Sequence, residues 1–405
     1  MTTMAIDNKD KKVLNVPHLR FPEFTEEWNS KSLIDLANVI GGGTPDTTVK
    51  SYWDGEIQWF TPSEIGKSKY VDLSIRTITE EGLNNSSAKL LPSGTILLST
   101  RATIGECSLS LRKCATNQGF QSLVSKKCNT DFLYYLIQTK KKDLIRKSCG
   151  STFLEISANE VRKIQVSVPT EVEQQRIAEL LSLIDERIAT QNKIIEDLKK
   201  LKSAISKYLF ARKDLLETTI CLSNIATLKN GYAFQSGKYN ALGKWKILTI
   251  TNVPGERYIN DEDCNCIINL PNDIQDHQVL KEGDILISLT GNVGRVSLCK
   301  NGNYLLNQRV GLLQLAKNVN QEFLYQILSS QRFENSMIAC GQGAAQMNIG
   351  KGDVENYVLP YSSNGNNILW VAKILHSYDE CIINELRRLT LLTMQKQYLL
   401  TQMFI

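Results

Sequence analysis

The chain has 405 residues, of which 42% are hydrophobic and 22% are charged, an ordinary composition for a globular protein. This length allows two or three domains. The formal net charge of +5 permits a nucleic-acid partner without requiring one, so any basic surface must be local. The N-terminus lacks the apolar core of a signal peptide, and no run approaches the roughly 20 apolar residues of a membrane span. We therefore expect a cytoplasmic chain without membrane contact.

Common cofactor motifs have no support in the sequence. The ten cysteines contain no C-x-x-C pair, and the three histidines, His18, His277 and His376, are far apart, so a zinc site is not expected. Residues 41–66 are rich in Gly, Thr and Pro but match neither G-x-x-x-x-G-K-[ST] nor G-x-G-x-x-G. We therefore expect the chain itself to bind no cofactor.

The first part of the chain predicts a strap followed by a mixed domain. Residues 16–28 are compact, aromatic and punctuated by proline, which indicates an ordered segment packed against another part of the chain. Short strands and turns follow to about Ser125, and a helical run then covers residues 131–147. The basic face of this run is either solvated surface or an edge that contacts phosphate.

Residues 170–213 predict one long helix. Thr170 stands three residues before Glu173, which is the spacing of a capping box at a helix start. Apolar residues then recur at heptad spacing in two rows, Ile177, Ile184, Leu198 and Ile205 in the first and Leu180, Ile194, Leu201 and Tyr208 in the second, flanked by Leu181, Ile188 and Ile195. Such a helix would rise about 57 Å at about 1.5 Å per residue, more than one domain needs for its core. It therefore predicts a spacer with a partner helix.

A second copy of this helix follows 194 residues later. IAELLSLIDERI matches VAKILHSYDECI, which aligns Asp185 with Asp379. The globular sequence repeats as well, because LPSGTILLSTRATIGECSL from Leu91 aligns without gaps with LKEGDILISLTGNVGRVSL from Leu280. The chain is therefore a tandem duplication of a mixed globular domain followed by a long helix. Two copies of one amphipathic helix predict an antiparallel coiled coil.

The duplication predicts an α+β chain of five segments. Each globular domain alternates short strands with one or two helices and contains no long βαβ series, which favours the α+β class. The predicted segments are an N-terminal strap (1–30), a first globular domain (31–169), a central helix (170–213), a second globular domain (214–362) and a C-terminal helix (363–405).

Several motifs together resemble the specificity subunit of type I restriction-modification enzymes. They include LRFPEF with Trp28 near the N-terminus, GGGTP followed by YWDGEIQW, and the ILLSTRATIG segment. The start of the long helix has the family's P-x-x-x-EQ-x-x-I-A form in Pro169, Glu173, Gln174, Ile177 and Ala178. The second helix departs from this form, with Asn366 and Asn367 at the Glu-Gln positions. The resemblance covers nearly the whole chain.

The resemblance implies a non-catalytic reader of double-stranded DNA. In the family, each globular domain is a target recognition domain for one half of a bipartite, asymmetric site, and the helices hold the halves at a fixed spacing. The helices also dock two modification subunits, which carry S-adenosylmethionine and methylate adenine, and the assembly recruits restriction subunits that use ATP and Mg²⁺. The docking residues expected from the apolar seam are Ile177, Leu181, Ile184, Ile188, Ile195, Leu375, Ile382 and Leu389.

The two copies also separate framework positions from candidate DNA contacts. Identical positions, such as Gly105 and Gly294, are expected to serve the common fold. Positions that differ are candidates for base readout, because Arg can bind guanine and Asn or Gln can bind adenine through two hydrogen bonds. The candidate DNA-binding residues, including shared ones that hold the backbone, are Arg101, Thr103, Asn117, Gln118, Ser151, Thr152, Asn292, Asn307, Gln308, Arg309, Gln342 and Gln346.

Other interpretations stay open from the sequence. Trp53, Trp59, Tyr232 and Phe234 either belong to the core, which their strand-like setting favours, or stack on DNA. A single-chain restriction and methylation enzyme is the second functional hypothesis, although the chain lacks an Asn/Asp-Pro-Pro-aromatic methylation motif and a P-loop. The third is a coiled-coil scaffold whose globular ends bind protein.

Overall fold

The computed structural model describes residues 15–150, 154–341 and 347–405. The chain divides into two compact units. Unit 1 comprises the chain as far as Asn192 together with Arg388–Ile405, and unit 2 comprises Lys193–Arg387. Each unit therefore contains one globular domain and a part of each long helix.

Unit 1 is built on short strands, which are β1 (Asn29–Ser32), β2 (Ala37–Gly41), β3 (Trp53–Phe60), β4 (Tyr70–Val71), β5 (Arg76–Ile78), β6 (Ile96–Leu98), β7 (Cys107–Ser110), β8 (Cys114–Thr116), β9 (Gln121–Ser125) and β10 (Gln165–Val168). One sheet has the order β2–β9–β6–β7–β4, and a second has the order β5–β3–β8. Strand β1 pairs antiparallel with β10. The chain therefore enters and leaves this globular domain through adjacent strands.

The helices of this part of the chain are α1 (Leu33–Leu36), α2 (Glu80–Asn84), α3 (Thr130–Thr139), α4 (Lys141–Arg146), α5 (Ala158–Arg162) and α6 (Glu171–Ala211). The helical run predicted over residues 131–147 is thus two helices, which meet at Lys140. The largest apolar cluster of unit 1 receives side chains from the sheet, α3 and α6, for example Leu123, Phe132 and Leu181. The globular domain is therefore packed directly on the long helix.

Unit 2 has the strands β11 (Thr218–Cys221), β12 (Ala226–Asn230), β13 (Trp245–Leu248), β14 (Asn265–Ile267), β15 (Val279–Leu280), β16 (Ile285–Ser288), β17 (Val296–Leu298), β18 (Tyr304–Leu306), β19 (Val310–Leu315) and β20 (Val358–Tyr361). Its helices are α7 (Gln321–Leu328), α8 (Gln331–Cys340), α9 (Lys351–Glu355) and α10 (Gly365–Gln402). The sheets have the orders β12–β19–β16–β17, β14–β13–β18–β15 and β11–β20.

The two globular domains share one topology. Strands β12, β19, β16 and β17 follow the same order and antiparallel pairing as β2, β9, β6 and β7. Strand β13 pairs antiparallel with β14 and parallel with β18, as β3 does with β5 and β8. Helices α3 and α7 both begin at an asparagine cap, Asn129 and Asn320, whose Oδ1 accepts from a phenylalanine backbone N–H. The predicted duplication and the α+β class are confirmed.

The long helices α6 and α10 pair within each unit. In unit 1, the first half of α6 shares a core with the C-terminal end of α10, as Leu181 and Leu400 illustrate. In unit 2, the second half of α6 shares a core with the first half of α10, as Leu209 and Leu375 illustrate. The helices therefore run antiparallel, as the sequence predicts.

The second seam row predicted for α6 is wrong. Ile194, Leu201 and Tyr208 are exposed by 41%, 47% and 63%. The row that accompanies Ile177 is the one four residues further on, which contains the buried Leu181, Ile195 and Leu209. Apolar residues occupy both the third and the fourth position after Ile177, so periodicity alone could not separate the two rows. The choice depends on the globular domain, which packs against one side of the helix only.

In unit 1, Asp185 of α6 connects three elements. Its Oδ2 accepts a 2.6 Å hydrogen bond from the Tyr135 hydroxyl on α3, and its Oδ1 lies 2.7 Å from Nζ of Lys396 on α10. Burial and this bond to the carboxylate raise the pKa of Tyr135, so the phenol stays a donor. Beside them, Lys69 of the globular domain lies 2.6 Å from Asp131. Asp185 thus ties both long helices to the globular domain.

Unit 2 contains the corresponding joint around Asp379 of α10. Nζ of Lys202 on α6 lies 2.5 Å from its Oδ1. Its Oδ2 accepts from Gln326 on α7 at 2.6 Å and from the Arg257 guanidinium at 2.9 Å. Arg257 also pairs with Glu322 at 2.6 Å. The helix lysine and aspartate both recur at the 194-residue offset of the repeat, so the duplication includes the joint.

The start of α6 is held by the N-terminal strap rather than by a capping box. Both carboxylate oxygens of Glu173 accept from Arg20 at 2.7 Å, and the Trp28 indole donates to Oε1 at 3.3 Å. The neighbouring Gln174 accepts from the backbone N–H of Asn129 at the start of α3. The Glu-Gln pair therefore joins α6 to two other segments, which corrects the predicted reach of Glu173 back to the cap.

Replacing Glu173 by Ala should lower the free energy of unfolding by about 3 kcal/mol or more, because removing one partner leaves a buried cation unpaired. The Arg20 and Glu173 side chains are only 13% and 1% exposed. Urea unfolding followed by circular dichroism measures the change. Glu160→Ala is the control, because Glu160 and Lys163 form a surface pair with side chains 38% and 70% exposed, which should contribute under about 1 kcal/mol. Equal losses in the two variants would contradict the prediction.

Candidate nucleic-acid interface

In unit 1, the structure brings four predicted DNA-binding residues to one edge. Arg101 and Thr103 lie in the β6–β7 loop (residues 99–106), and Asn117 and Gln118 lie in the β8–β9 turn (residues 117–120). The loop and the turn are joined by the backbone bond from Thr100 N–H to the Gly119 carbonyl, at 2.8 Å. Thr103 and Gln118 are exposed there, while Arg101 and Asn117 are half-buried.

Unit 2 presents its predicted residues in the same arrangement. Asn292 lies in the β16–β17 loop (residues 289–295), and Asn307, Gln308 and Arg309 lie in the β18–β19 turn (residues 307–309). The backbone N–H of Leu289 donates to the Arg309 carbonyl at 3.0 Å and holds loop and turn together. Asn292, Gln308 and Arg309 are exposed. The two domains therefore offer equivalent polar loops.

Positions shared by the copies have shared structural roles. Asn117 Oδ1 accepts from the Gly119 N–H at 2.9 Å, and Asn307 Oδ1 accepts from the Arg309 N–H at 3.1 Å. These are the same Asx turn, in which a side chain folds its own backbone two residues ahead. The two asparagine amides thus shape their turns, as their identity in both copies suggests.

The loops also share a left-handed residue at the same place. Ala102 has φ of 56°, and its counterpart Gly291 has φ of 73°. This conformation costs an L-residue with a side chain roughly 1–2 kcal/mol but is open to glycine. One loop backbone therefore serves both domains, even though its side chains differ. Gly105 and Gly294 are left-handed as well, which gives their identity a physical reason.

Divergent positions are held by different contacts. Nε of Arg101 lies 2.8 Å from Oε2 of Glu155, an ion pair whose angle departs from a linear hydrogen bond. Its counterpart Thr290 instead donates to Asn348 Oδ1 at 3.1 Å. At the shared position Gln118, by contrast, the side-chain carbonyl accepts from the Thr44 hydroxyl at 2.5 Å. The sequence did not single out Glu155 or Asn348, because their proximity to these loops comes from strand pairing.

The remaining predicted DNA-binding residues, Ser151, Thr152, Gln342 and Gln346, lie outside the described residues. The described chain beside them is anchored to the loops. In unit 1 Glu155 forms a β-bridge with Arg101, and in unit 2 Asn348 forms one with Thr290.

The aromatic candidates belong mainly to the core. Trp53 and Trp59 are only 7% and 4% exposed, and their rings pack edge to face at 5.2 Å. Tyr232 and Phe234 are half-buried, with ring centroids 4.8 Å apart, and the Tyr232 hydroxyl donates to Asp273. The core interpretation is confirmed for the two tryptophans, while the tyrosine and phenylalanine remain partly exposed.

The basic run of unit 1 lies close to the candidate loop. Lys141 at the start of α4 packs beneath Gly105, where an added Cβ would come within 2.7 Å of the lysine side chain. Lys141 pairs with Glu106, and Arg146 pairs with Asp143. Much of the positive charge on this helix is therefore balanced locally, and contact with phosphate stays a prediction.

The predicted docking residues are mostly enclosed by the chain itself. Ile177, Leu181, Ile184, Ile195, Leu375 and Ile382 are buried, and Ile188 and Leu389 are half-buried. Side chains buried in the chain's own core offer little surface to a second subunit. The exposed apolar side chains of these helices in unit 1 include Leu183, Leu391, Met394 and Tyr398.

The described residues provide no evidence for a metal or membrane site. They contain no group of three His, Cys, Asp or Glu side chains placed to bind a metal ion. The ten cysteines are free thiols. Among the helices of the described ranges, none combines the length and the apolar character needed to cross a bilayer.

Two copies of one mixed domain, each packed on the paired long helices, define the class of this protein as a duplicated two-domain chain. A profile described as "Type I restriction modification DNA specificity domain" matches residues 25–200 and again residues 217–394. The chain belongs to this family of type I restriction-modification DNA specificity proteins. The family predicted from the motifs is confirmed.

Individual relatives agree with this family. The chain is 36% identical over 190 residues to the type I restriction enzyme MjaIX specificity subunit of Methanocaldococcus jannaschii, covering 46% of this chain and 44% of that protein. It is 31% identical over 206 residues to the EcoR124I/EcoR124II specificity subunit of Escherichia coli, covering 49% and 50%. These matches span about half the length of the relatives. A match to the MjaVIII specificity subunit of M. jannaschii is 24% identical and covers 81% and 80%.

Solved structures show the same fold. The type I restriction-modification S subunit of M. genitalium aligns with a TM-score of 0.56 at 17% identity, over 96% of this chain and 99% of that chain. A chain from a study of complex assembly and conformational transition of the type I R-M system aligns with a TM-score of 0.57 at 15% identity, over 92% and 96%. At these identities the likeness concerns the fold alone.

The left-handed loop residue leads to a stability prediction. Gly291→Ala should lower the free energy of unfolding by about 1 kcal/mol, because alanine is strained at this φ. Ala102→Gly should not destabilise unit 1 and should raise its stability by under about 1 kcal/mol, since relief of strain exceeds the entropy cost of glycine. Gly237→Ala is the control, because that glycine has no positive φ and no atom near an added Cβ. Thermal unfolding of the purified variants measures these changes in stability. A different order of stabilities would contradict the shared left-handed conformation of the two loops.

Proposed function

We propose that this chain is the DNA-reading subunit of a type I restriction-modification complex and that each globular domain reads one half of a bipartite, asymmetric site. One observation carries the proposal. Equivalent loops with left-handed residues at the same places present different residues in the two domains, such as Arg101 against Thr290 and Gly119 against Arg309. A shared frame supports one mode of docking, and different side chains support two base sequences.

The candidate contacts divide by chemistry. Arg309 is exposed on the β18–β19 turn, and a guanidinium can donate two hydrogen bonds to guanine. Thr103, Gln118, Asn292 and Gln308 are exposed polar side chains that suit base or phosphate contacts. The amides of Asn117 and Asn307, which shape the turns, more readily serve the frame than base readout. Ser151, Thr152, Gln342 and Gln346 stay proposals from the sequence.

The catalytic steps belong to partners in this proposal. Two modification subunits would supply S-adenosylmethionine and adenine methylation, and restriction subunits would supply ATP- and Mg²⁺-dependent translocation and cleavage. The modification subunits would dock on the long helices. The chain alone should neither methylate nor cut DNA, and reproducible activity lost on point mutation within it would favour the single-chain enzyme. Absence of salt-sensitive DNA binding by the assembled complex would favour the protein scaffold.

Arg309→Ala should relax or change one base position in one half of the methylated motif. The loss of a bidentate guanine contact corresponds to about 1–3 kcal/mol of discrimination. Methylation-site sequencing of DNA from cells that express the chain with its cognate modification subunit measures the motif. Arg212→Ala is the control, because Arg212 pairs with Asp214 outside the candidate loops. A uniform loss of affinity with a flatter salt dependence would instead assign Arg309 to phosphate.

Exchange of residues 222–360 for the equivalent part of a relative tests the division of labour. The second half-site should change to that of the donor, and the first should stay the same, because each domain carries its own loops. Methylation-site sequencing of the hybrid complex reads both halves together. A hybrid that alters both halves, or neither, would show that the domains do not read separately.

The docking proposal requires substitutions of exposed residues. Leu183 and Leu391 line a groove between α6 and α10 in unit 1 and are exposed by 58% and 64%. Leu183→Asp with Leu391→Asp should abolish copurification of the modification subunit while leaving the melting temperature nearly unchanged, because a charge is placed only in the interface. Ile184→Asp would not separate the effects, because Ile184 is 6% exposed and the charge would enter the core.

Leu73→Asp is the matched control for the docking test. Leu73 is an equally apolar side chain, 68% exposed, in the globular domain rather than on the long helices. This variant should copurify with the modification subunit as the wild type does. Normal assembly of the Leu183 and Leu391 variant would remove this groove from the docking surface.

A further inference from the structure

We propose that each globular domain reads one base through a cross-strand pair of side chains. In unit 1, Glu155 positions Arg101 on a guanine. In unit 2, Thr290 positions Asn348 on an adenine. This inference rests on the proposed function and adds two specificity residues, Glu155 and Asn348, that the sequence comparison of the copies did not identify.

The two pairs occupy the same place in the two domains. Arg101 and Glu155 form an isolated antiparallel bridge, and so do Thr290 and Asn348. Both bridges stand immediately before the left-handed loop residue, which is Ala102 in one domain and Gly291 in the other. The backbone frame of the pair is therefore constant, while the chemistry of both its members differs. This is the pattern expected of residues that distinguish two half-sites on a common scaffold.

The Arg101–Glu155 pair leaves the guanidinium ready to bind a base. The carboxylate forms an ion pair with Nε at 2.8 Å, outside hydrogen-bond geometry, and Nε itself is buried. The two terminal amino groups have no hydrogen-bond partner among the described residues, and the side chain remains 43% exposed. Their parallel donors match O6 and N7 of guanine, which are both acceptors in the major groove. Glu155 thus holds the arginine by one edge and leaves the fork for DNA.

Stability gives little reason for this ion pair. With side-chain exposures of 43% and 39%, it belongs to the class of surface pairs that contribute little to folding. A carboxylate on a surface that meets DNA also faces repulsion from phosphate. Holding the arginine in one orientation offsets this repulsion, because an ordered guanidinium loses less side-chain entropy on binding.

The unit 2 pair has the chemistry of adenine recognition. Thr290 donates to Oδ1 of Asn348 at 3.1 Å, which fixes the plane of the carboxamide, and Asn348 is exposed. An amide oxygen has two lone pairs, so Oδ1 can still accept from the adenine N6 amino group while Nδ2 donates to N7. The arginine–glutamate pair and the threonine–asparagine pair thus each orient one side chain for contact with a base.

Motif sequencing of the assembled complex tests the pairs. The variants are Arg101→Ala, Glu155→Ala, Glu155→Asp and Asn348→Ala, each expressed with the cognate modification subunit. Glu160→Ala is the matched control, because this glutamate in the same unit has a 38% exposed side chain and an ion pair with Lys163. Thermal unfolding of each complex accompanies the sequencing, and Glu155→Gln replaces Glu155→Ala if that variant does not fold.

The expected changes are confined to single base positions. Arg101→Ala should reduce the preference for one guanine in the first half-site on the order of tenfold. Glu155→Ala should weaken the same position less, and Glu155→Asp should restore it, because a shorter carboxylate can still orient Nε. Asn348→Ala should reduce the preference for one adenine in the second half-site by a similar factor. Glu160→Ala should leave the motif intact.

Two results would overturn the inference. One is a motif that Glu155→Ala and Asn348→Ala leave unchanged. The other is an equal loss at every base position, which would indicate phosphate contact or a structural role. The exchange of residues 222–360 shows whether such a result contradicts only the paired-residue inference or also the proposed function. If that exchange replaces one half-site while the pair variants have no effect, the domains read DNA through other residues.

Discussion

Asp185 and Asp379 are the residues on which the architecture depends, because each joins three elements through one carboxylate. Asp185 binds Lys396 of the paired helix and Tyr135 of the globular domain. Asp379 does the same with Lys202 and with the α7 side of its own domain. The Asp185 and Asp379 side chains are only 15% and 8% exposed, and carboxylates with so little solvent depend on their partners, so the geometry of each joint is narrowly defined. The same carboxylate in each unit therefore fixes both the pairing of the two helices and the position of the globular domain on them.

This arrangement separates the part of each domain that must stay constant from the part that can vary. The joints lie on the helix side, where apolar clusters bind α3 to α6 and α7 to α10. The candidate loops are connected to one another by backbone bonds, such as Thr100 to Gly119 and Leu289 to Arg309. Backbone bonds do not depend on side-chain identity, so the loop residues can change while the frame persists. The two domains represent this outcome within a single chain.

The sequence predicts the large features of the fold because they repeat. The duplication, the long helices and the first seam row follow from patterns that occur twice or at heptad spacing. The errors occur where contacts with distant parts of the chain determine the structure. Glu173 accepts hydrogen bonds from Arg20 instead of capping the helix. The row that contains Leu181, rather than the row that contains Leu180, is buried because the globular domain packs on that side of α6. Glu155 and Asn348 escaped notice because strand pairing, rather than sequence spacing, brings them beside Arg101 and Thr290.

The β1–β10 and β11–β20 ladders affect how such a chain can change over time. The first and last strands of each domain pair with each other, so the chain enters and leaves the domain at neighbouring positions. The separation between equivalent residues drifts from 189 at Leu91 and Leu280 to 194 at Asp185 and Asp379. Insertions and deletions have therefore accumulated inside the domains, and the ladders keep them from shifting the helix register. Such a chain can gain or lose loop residues gradually, without a coordinated change elsewhere.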